Sequence, residues 1–108
     1  MDYSITNKID IDGTKIGFDE PCYIIAEIGI NHNGDLLLAK KLIDAAISSG
    51  VNAVKFQKRN LESIYQKEIL ENPTLDSQGT EILIDVLNEV EFDKDDFIEI
   101  VNYCKEKN

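Results

Sequence analysis

Apolar and polar positions divide the chain into a hairpin, two apolar strands and several helices. Residues 8–16, KIDIDGTKI, alternate: Ile9 and Ile11 stand between polar neighbours, and Ile16 falls on the return. Asp12-Gly13 makes a two-residue turn, so this segment predicts a β-hairpin. Residues 22–30, CYIIAEIGI, are a nearly continuous apolar run broken by Glu27, the pattern of a strand buried on both faces. The polar cluster Asn31-His32-Asn33-Gly34 then predicts a turn. Residues 35–49 predict a helix: Leu38, Leu42, Ala45 and Ala46 fall on one stripe, Asp35 stands at the N-terminus and Gly50 at the C-cap. Residues 51–57, VNAVKFQ, predict a second buried strand. Strand, helix and strand make a βαβ unit, whose two strands are parallel and adjacent.

The rest of the chain is helical in pattern. Residues 58–80 are irregular, with a short helix around Leu61 to Leu70 and a break at Asn72-Pro73. A helix over 81–89 has Thr80 as its N-cap and Ile82, Leu83, Val86 and Leu87 on one side. The last helix, 94–106, has Asp93 as N-cap, Asp96 in the first turn, and Phe92 and Phe97 at the two positions of a hydrophobic staple. Phe97, Ile100, Val101 and Cys104 supply its core-facing stripe.

Strand parity selects the chemistry. Side chains alternate between sheet faces, so Tyr23, Ile25, Glu27 and Gly29 share one face of the first strand, and Ala53, Lys55 and Gln57 one face of the second. The all-apolar faces, Ile24, Ala26 and Ile28 with Val54 and Phe56, are expected to pack under helices, which puts Glu27, Lys55 and Gln57 on the same side at the C-terminal ends. Ligands bind there in open α/β sheets and in (β/α)8 barrels. Glu27, Lys55 and Gln57 are therefore candidate site residues, with Asn31 and His32 of the adjoining turn as candidate substrate contacts. A plain ion pair of Glu27 with Lys55 that fixes strand register is the competing reading. It leaves Gln57 and the Asn31-His32-Asn33 turn unexplained.

Composition narrows the classes. The 108 residues carry a formal net charge of −10, which excludes a protein that binds nucleic acid or an anionic membrane through a net basic surface. No apolar run approaches the roughly 20 residues of a membrane helix, and no secretory h-region opens the chain. Cys22 and Cys104 lack metal-ligand spacing, and are expected to be reduced, mostly buried thiols of a cytoplasmic protein. Against the acidic background, Lys55, Lys58 and Arg59 put three cations in five residues. Such a spot suits a phosphate or a carboxylate, although for Lys58 and Arg59 a solvated surface pair fits equally well. His32 is the only histidine, too little for a metal site, so no metal ligand is assigned.

The β/α alternation is unfinished, since parallel sheets occur almost only when covered on both faces. The expected fold is α/β, the N-terminal portion of a larger protein that stops before a third strand. Residues 1–21 would hold the hairpin and 22–108 two β/α units.

The blocks from Tyr23 to Asp35, Ala39-Lys40 and Ala53 to Lys58 closely resemble the N-terminal region of sialic acid synthases, and Glu91-Phe92 fits the same family. The resemblance implies a TIM (β/α)8 barrel, with the hairpin plugging its bottom and a C-terminal antifreeze-like domain absent here. It implies condensation of phosphoenolpyruvate with an N-acylhexosamine, N-acetylmannosamine or its 6-phosphate, with release of phosphate. It also implies a divalent metal, manganese or magnesium, whose ligands lie outside this segment, and a homodimeric whole protein. Lys55 matches the lysine that contacts phosphoenolpyruvate, Gln57 the glutamine near the amino sugar, and Glu27 a carboxylate beside the reacting carbons. The 108 residues alone are expected to be inactive. The alternatives are a metal-dependent sugar isomerase or aldolase barrel, and a stand-alone binding module.

Overall fold

The computed structural model of the chain describes residues 8–72 and 80–107, the side chains of residues 80–82 excepted. The hairpin pairs β1 (Ile9–Ile11) with β2 (Thr14–Ile16) in antiparallel register, Ile9 opposite Ile16. Its turn is the expected Asp12-Gly13, both with positive φ (49° and 85°), as a two-residue hairpin with the twist of its strands requires. Asp10 Oδ1 accepts the Gly13 N–H at 2.9 Å and closes the loop.

The βαβ unit follows as β3 (Ile25–Gly29), α1 (Leu36–Ser48) and β4 (Ala53–Phe56). The two strands are neighbours and parallel, with Ile25 opposite Ala53, Ala26 opposite Val54 and Glu27 opposite Lys55. Register then shifts, so that Ile28 and Gly29 together face the single Phe56. Asp35 caps α1 by accepting the N–H groups of Leu37 and Leu38 at 2.8 and 3.1 Å. Gly50, φ +75°, ends that helix as the expected left-handed residue.

Two short helices, α2 (Leu61–Ile64) and α3 (Lys67–Glu71), occupy the stretch after β4, and α3 ends at Asn72. Pro73 lies outside the described residues. The chain continues in α4 (Thr80–Val90) and α5 (Lys94–Lys107). The capping role expected of Thr80 falls on a side chain outside the described set. At the start of α5 the capping is reciprocal: Asp93 Oδ1 accepts the Asp96 N–H at 2.9 Å, and Asp96 Oδ2 accepts the Asp93 N–H at 3.0 Å. The Phe92 and Phe97 rings meet edge to face, centroids 5.9 Å apart, which completes the hydrophobic staple.

Ile28, Ala39, Ile43, Phe92 and Ile100 form the buried cluster, with Val54, Phe56, Phe97, Tyr103 and Cys104 packed around it. Each large member contributes about 1.5–3 kcal/mol by leaving water. α1 and α5 lie side by side over this cluster. Lys40 pairs with Glu99, and the Tyr103 hydroxyl sits 2.8 and 2.9 Å from the two Asp44 carboxylate oxygens.

The helix faces are rotated from those the sequence predicts. α1 buries Ala39, Ile43 and Ala46, and Ala45 is exposed. α4 buries Ile84, Leu87 and Val90, with Leu83 and Val86 outside. On α5 Val101 is exposed, and Tyr103 packs against the core with Phe97, Ile100 and Cys104. In each case apolar residues surround more than one side of the helix, and the neighbouring element selects which side is covered. Cys22, expected buried, is exposed, and Cys104 is half-buried. The strands are not buried on both faces. Both helices cover the side bearing Ile28, Val54 and Phe56, while Ile25 on the opposite face is 53% exposed. No helix among the described residues is long and apolar enough to cross a membrane.

Candidate active site

The uncovered sheet face carries the polar residues that parity assigns to it. Glu27 and Lys55 stand directly opposite each other in register. The Lys55 ammonium lies 2.6 Å from Glu27 Oε2, with the two side chains 63% and 44% exposed. An ion pair this open is worth about 0–1 kcal/mol, too little for strand register to be its reason for existing. Backbone pairing and the apolar side of the sheet already fix that register.

Gln57 joins the pair through Gly29. The Gln57 N–H reaches the Gly29 carbonyl at 3.3 Å and extends the ladder past the shift in register. A Cβ placed on Gly29 would lie 3.3 Å from Gln57 Nε2 and 3.3 Å from Glu27 Oε1. Gly29 also has φ +59°, a conformation that L side chains rarely adopt. Glycine here leaves a gap flanked by the carboxamide and the carboxylate. Three of the sequence candidates, Glu27, Lys55 and Gln57, are thus brought together at the C-terminal ends of parallel strands.

Lys58 and Arg59 are not a free solvated pair. Lys58 Nζ lies 3.1 Å from Glu91 Oε1 and 3.0 Å from the Phe92 carbonyl oxygen. The Arg59 backbone N–H donates to the same Glu91 oxygen at 3.0 Å. The Arg59 guanidinium donates through Nη2 to Gln57 Oε1. Glu91, 17% exposed, therefore ties the end of β4 to the start of α5. Sequence reading missed this tie, because 32 residues separate the partners and no local periodicity marks Glu91. Its one signal is an acidic residue just before the staple Phe92.

The turn after β3 divides. Asn31 is exposed and closes the turn on itself, its Nδ2 donating to the Ile28 carbonyl at 2.9 Å. His32 is 1% exposed and lies flat on Phe92, with ring centroids 3.9 Å apart, and is tilted against Phe56. Its Nδ1 accepts the Gly34 N–H at 3.0 Å, so the neutral ring carries its proton on Nε2. Burial pushes the His32 pKa down, against the opposing pull of Glu91 and Asp96. The structure thus places His32 with the core side chains and does not bring it to the Glu27–Lys55 pair. His32 Nε2, Arg59 Nη1 and Glu91 Oε2 are buried without a hydrogen-bond partner among the described residues.

A divalent metal finds no ligand set in these residues. Among the described residues no group of three or more His, Cys, Asp and Glu side chains could hold one.

This α/β arrangement is shared with a solved synthetase. The chain superimposes with a TM-score of 0.75 on the crystal structure of N-acetylneuraminic acid (sialic acid) synthetase from Leptospira borgpetersenii in complex with citrate. The two are 33% identical, over 94% of this chain and 32% of that one. Residues 42–108 match the NeuB family, and the chain belongs to that family. It is 38% identical over 95 residues, 87% of its length, to the N-acetylneuraminate-9-phosphate synthase of Homo sapiens. It is 50% identical over 60 residues, 55% of its length, to the N,N'-diacetyllegionaminic acid synthase of Legionella pneumophila. The chain spans 26% of the human relative and 17% of the Legionella one.

Proposed function

We propose that this chain forms the hairpin and first two β/α units of a (β/α)8 barrel that condenses phosphoenolpyruvate with an N-acylhexosamine and releases phosphate. In this reading residues 1–21 close the bottom of the barrel. Residues 22–108 carry the first two strand ends of its catalytic mouth. The whole protein works as a cytoplasmic homodimer on N-acetylmannosamine or its 6-phosphate. The observation that carries the reading is the in-register Glu27–Lys55 pair, with Gln57 beside it over Gly29, on the face the helices leave open.

The residue types suit the chemistry. Phosphoenolpyruvate is a compact, multiply charged anion, and the Lys55 ammonium offsets the cost of holding it out of water. The methylene carbon of phosphoenolpyruvate attacks the open-chain sugar aldehyde and forms the new carbon–carbon bond, and the aldehyde oxygen takes up a proton. Water then adds at the adjacent carbon, which bears the phosphate, and gives up a proton; the carbon–oxygen bond to phosphate breaks and a ketone remains. Glu27 orients that water and stabilises the positive charge that develops on the carbon it attacks. Gln57 holds the sugar by hydrogen bonds, a proximity role. Names among the relatives include both neuraminate and legionaminate synthases, which supports the class of reaction and leaves the sugar to experiment.

Phosphate release by the whole protein tests the reading. Phosphate should appear only when phosphoenolpyruvate and an N-acylhexosamine are both supplied. Interconversion or cleavage of the sugar without phosphoenolpyruvate would place the protein among sugar isomerases or aldolases instead.

A further inference from the structure

We propose that Arg59 is a positioning residue that locks the Gln57 carboxamide so that it offers only N–H donors to the substrate, which makes the substrate atom over Gly29 an acceptor oxygen. This rests on the synthase reading above and deepens it.

The orientation of an amide is settled by what its neighbours can do. A guanidinium has five donors and no acceptor, so the Gln57 atom that meets Arg59 Nη2 must be the oxygen. The amide nitrogen is thereby turned to the other side. It lies 3.3 Å from the position that a Cβ on Gly29 would take, and Glu27 Oε1 lies 3.3 Å from the same position. A free glutamine rotates about its last torsion and offers either end to a ligand. With its oxygen held, Gln57 presents donors only.

Arg59 is itself held. Its backbone N–H is bound to Glu91 Oε1 at 3.0 Å, and Lys58 grips the same carboxylate from the neighbouring position. Glu91 belongs to the lead into α5, which packs on the core through Phe92 and Ile100. Orientation thus passes from the core through Glu91 and Arg59 to an amide at the strand ends. The ligand atom that such an amide recognises is a sugar hydroxyl oxygen or the carbonyl oxygen of the N-acyl group. A group that can only donate would meet two hydrogens and be rejected.

A double-mutant cycle in the whole protein tests this, with steady-state kinetics on phosphoenolpyruvate and N-acetylmannosamine. Arg59→Met should raise the sugar KM about tenfold, with the phosphoenolpyruvate KM changed less than about twofold. Arg59→Lys, which restores a cationic donor, should recover part of the loss. In a Gln57→Ala background, Arg59→Met should add less than about a twofold change, because it acts only through the amide. If Arg59→Met does not fold, the same cycle is run with Arg59→Lys, which should raise the sugar KM in wild type and not in Gln57→Ala. Additive effects in the cycle, or equal rises in both KM values, would overturn the positioning role while the synthase reading stands. A wild-type protein that releases no phosphate would overturn the synthase reading itself, and this inference with it.

Discussion

The imidazole of His32 lies flat against the ring of Phe92, with centroids 3.9 Å apart and planes 13° from parallel. Its Nδ1 accepts the Gly34 N–H, an interaction that only the unprotonated nitrogen can make. Burial lowers the His32 pKa below its ordinary 6.5, so the folded state favours the neutral ring. The unfolded chain binds the proton more readily, and stability falls as acid is added. The stabilisation is complete above about pH 6.5 and is lost as pH falls toward the lowered folded value. A series of thermal unfolding curves should show Tm decreasing through that window. A His32→Asn variant, whose amide can accept the Gly34 N–H without titrating, should lose this part of the slope. An unchanged slope would mean that other groups set the acid limit.

On the proposed synthase reading, Lys55 is the charged group suited to phosphoenolpyruvate. Lys55→Ala in the whole protein should raise the phosphoenolpyruvate KM by roughly 10- to 100-fold, the worth of a charge-assisted hydrogen bond. The sugar KM should change little. Because the Glu27–Lys55 pair is exposed, the same substitution should cost less than about 1 kcal/mol of stability. Kinetics and a urea titration on one preparation separate the two effects. Equal loss of affinity for both substrates would count against the assignment.

Gly34 is where the turn after β3 meets the end of α4. A Cβ there would lie 2.7 Å from the Glu89 backbone oxygen, and φ is +74°. Gly34→Ala therefore meets both a backbone clash and an unfavourable conformation, and should cost more than about 2 kcal/mol. Gly50 is the control. It has nearly the same φ, +75°, but nothing within 4 Å of its virtual Cβ. Gly50→Ala should cost only about 1 kcal/mol. The two denaturation midpoints, measured side by side, report the contact at Gly34.

The reciprocal cap at α5 predicts a smaller, local effect. Asp93→Ala removes the acceptor of the Asp96 N–H and should cost about 1 kcal/mol. Asp93→Ser should retain most of it. Amide hydrogen exchange at Asp96 should accelerate in the alanine variant and stay close to wild type in the serine variant.

Local chemistry was legible in the sequence wherever a few neighbouring residues decide the outcome. The Asp12-Gly13 turn, the Asp93 cap and the Phe92–Phe97 staple all form as their spacing predicts, and Asp35, expected as a negative charge at the start of α1, stands there as its cap. Parity alone put Glu27 and Lys55 on one face, and the register sets them opposite each other. Counting by two could not reveal the shift at Ile28 and Gly29, since a bulge is an exception to that period. Burial of His32 was equally hidden: a turn has no periodicity, and the Phe92 beneath the ring lies 60 residues on. The tie from Glu91 to Arg59 spans 32 residues, so no short window of sequence holds it, and although Arg59 and Gln57 stand only two positions apart, no periodicity marks their contact. Helix faces were misjudged by about one position because α4 and α5 carry apolar residues on more than one side, and packing made the choice.

The two-strand sheet has one more consequence. Among the described residues β3 pairs only with β4, so the outer flank of each strand keeps backbone donors and acceptors without a ladder partner. Bare strand flanks next to exposed Ile24 and Ile25 are templates for another chain to zip onto. The 108-residue chain by itself should therefore self-associate as its concentration rises, which light scattering would register. In the barrel proposed above, further strands laid along these flanks would remove the templates and keep the protein soluble.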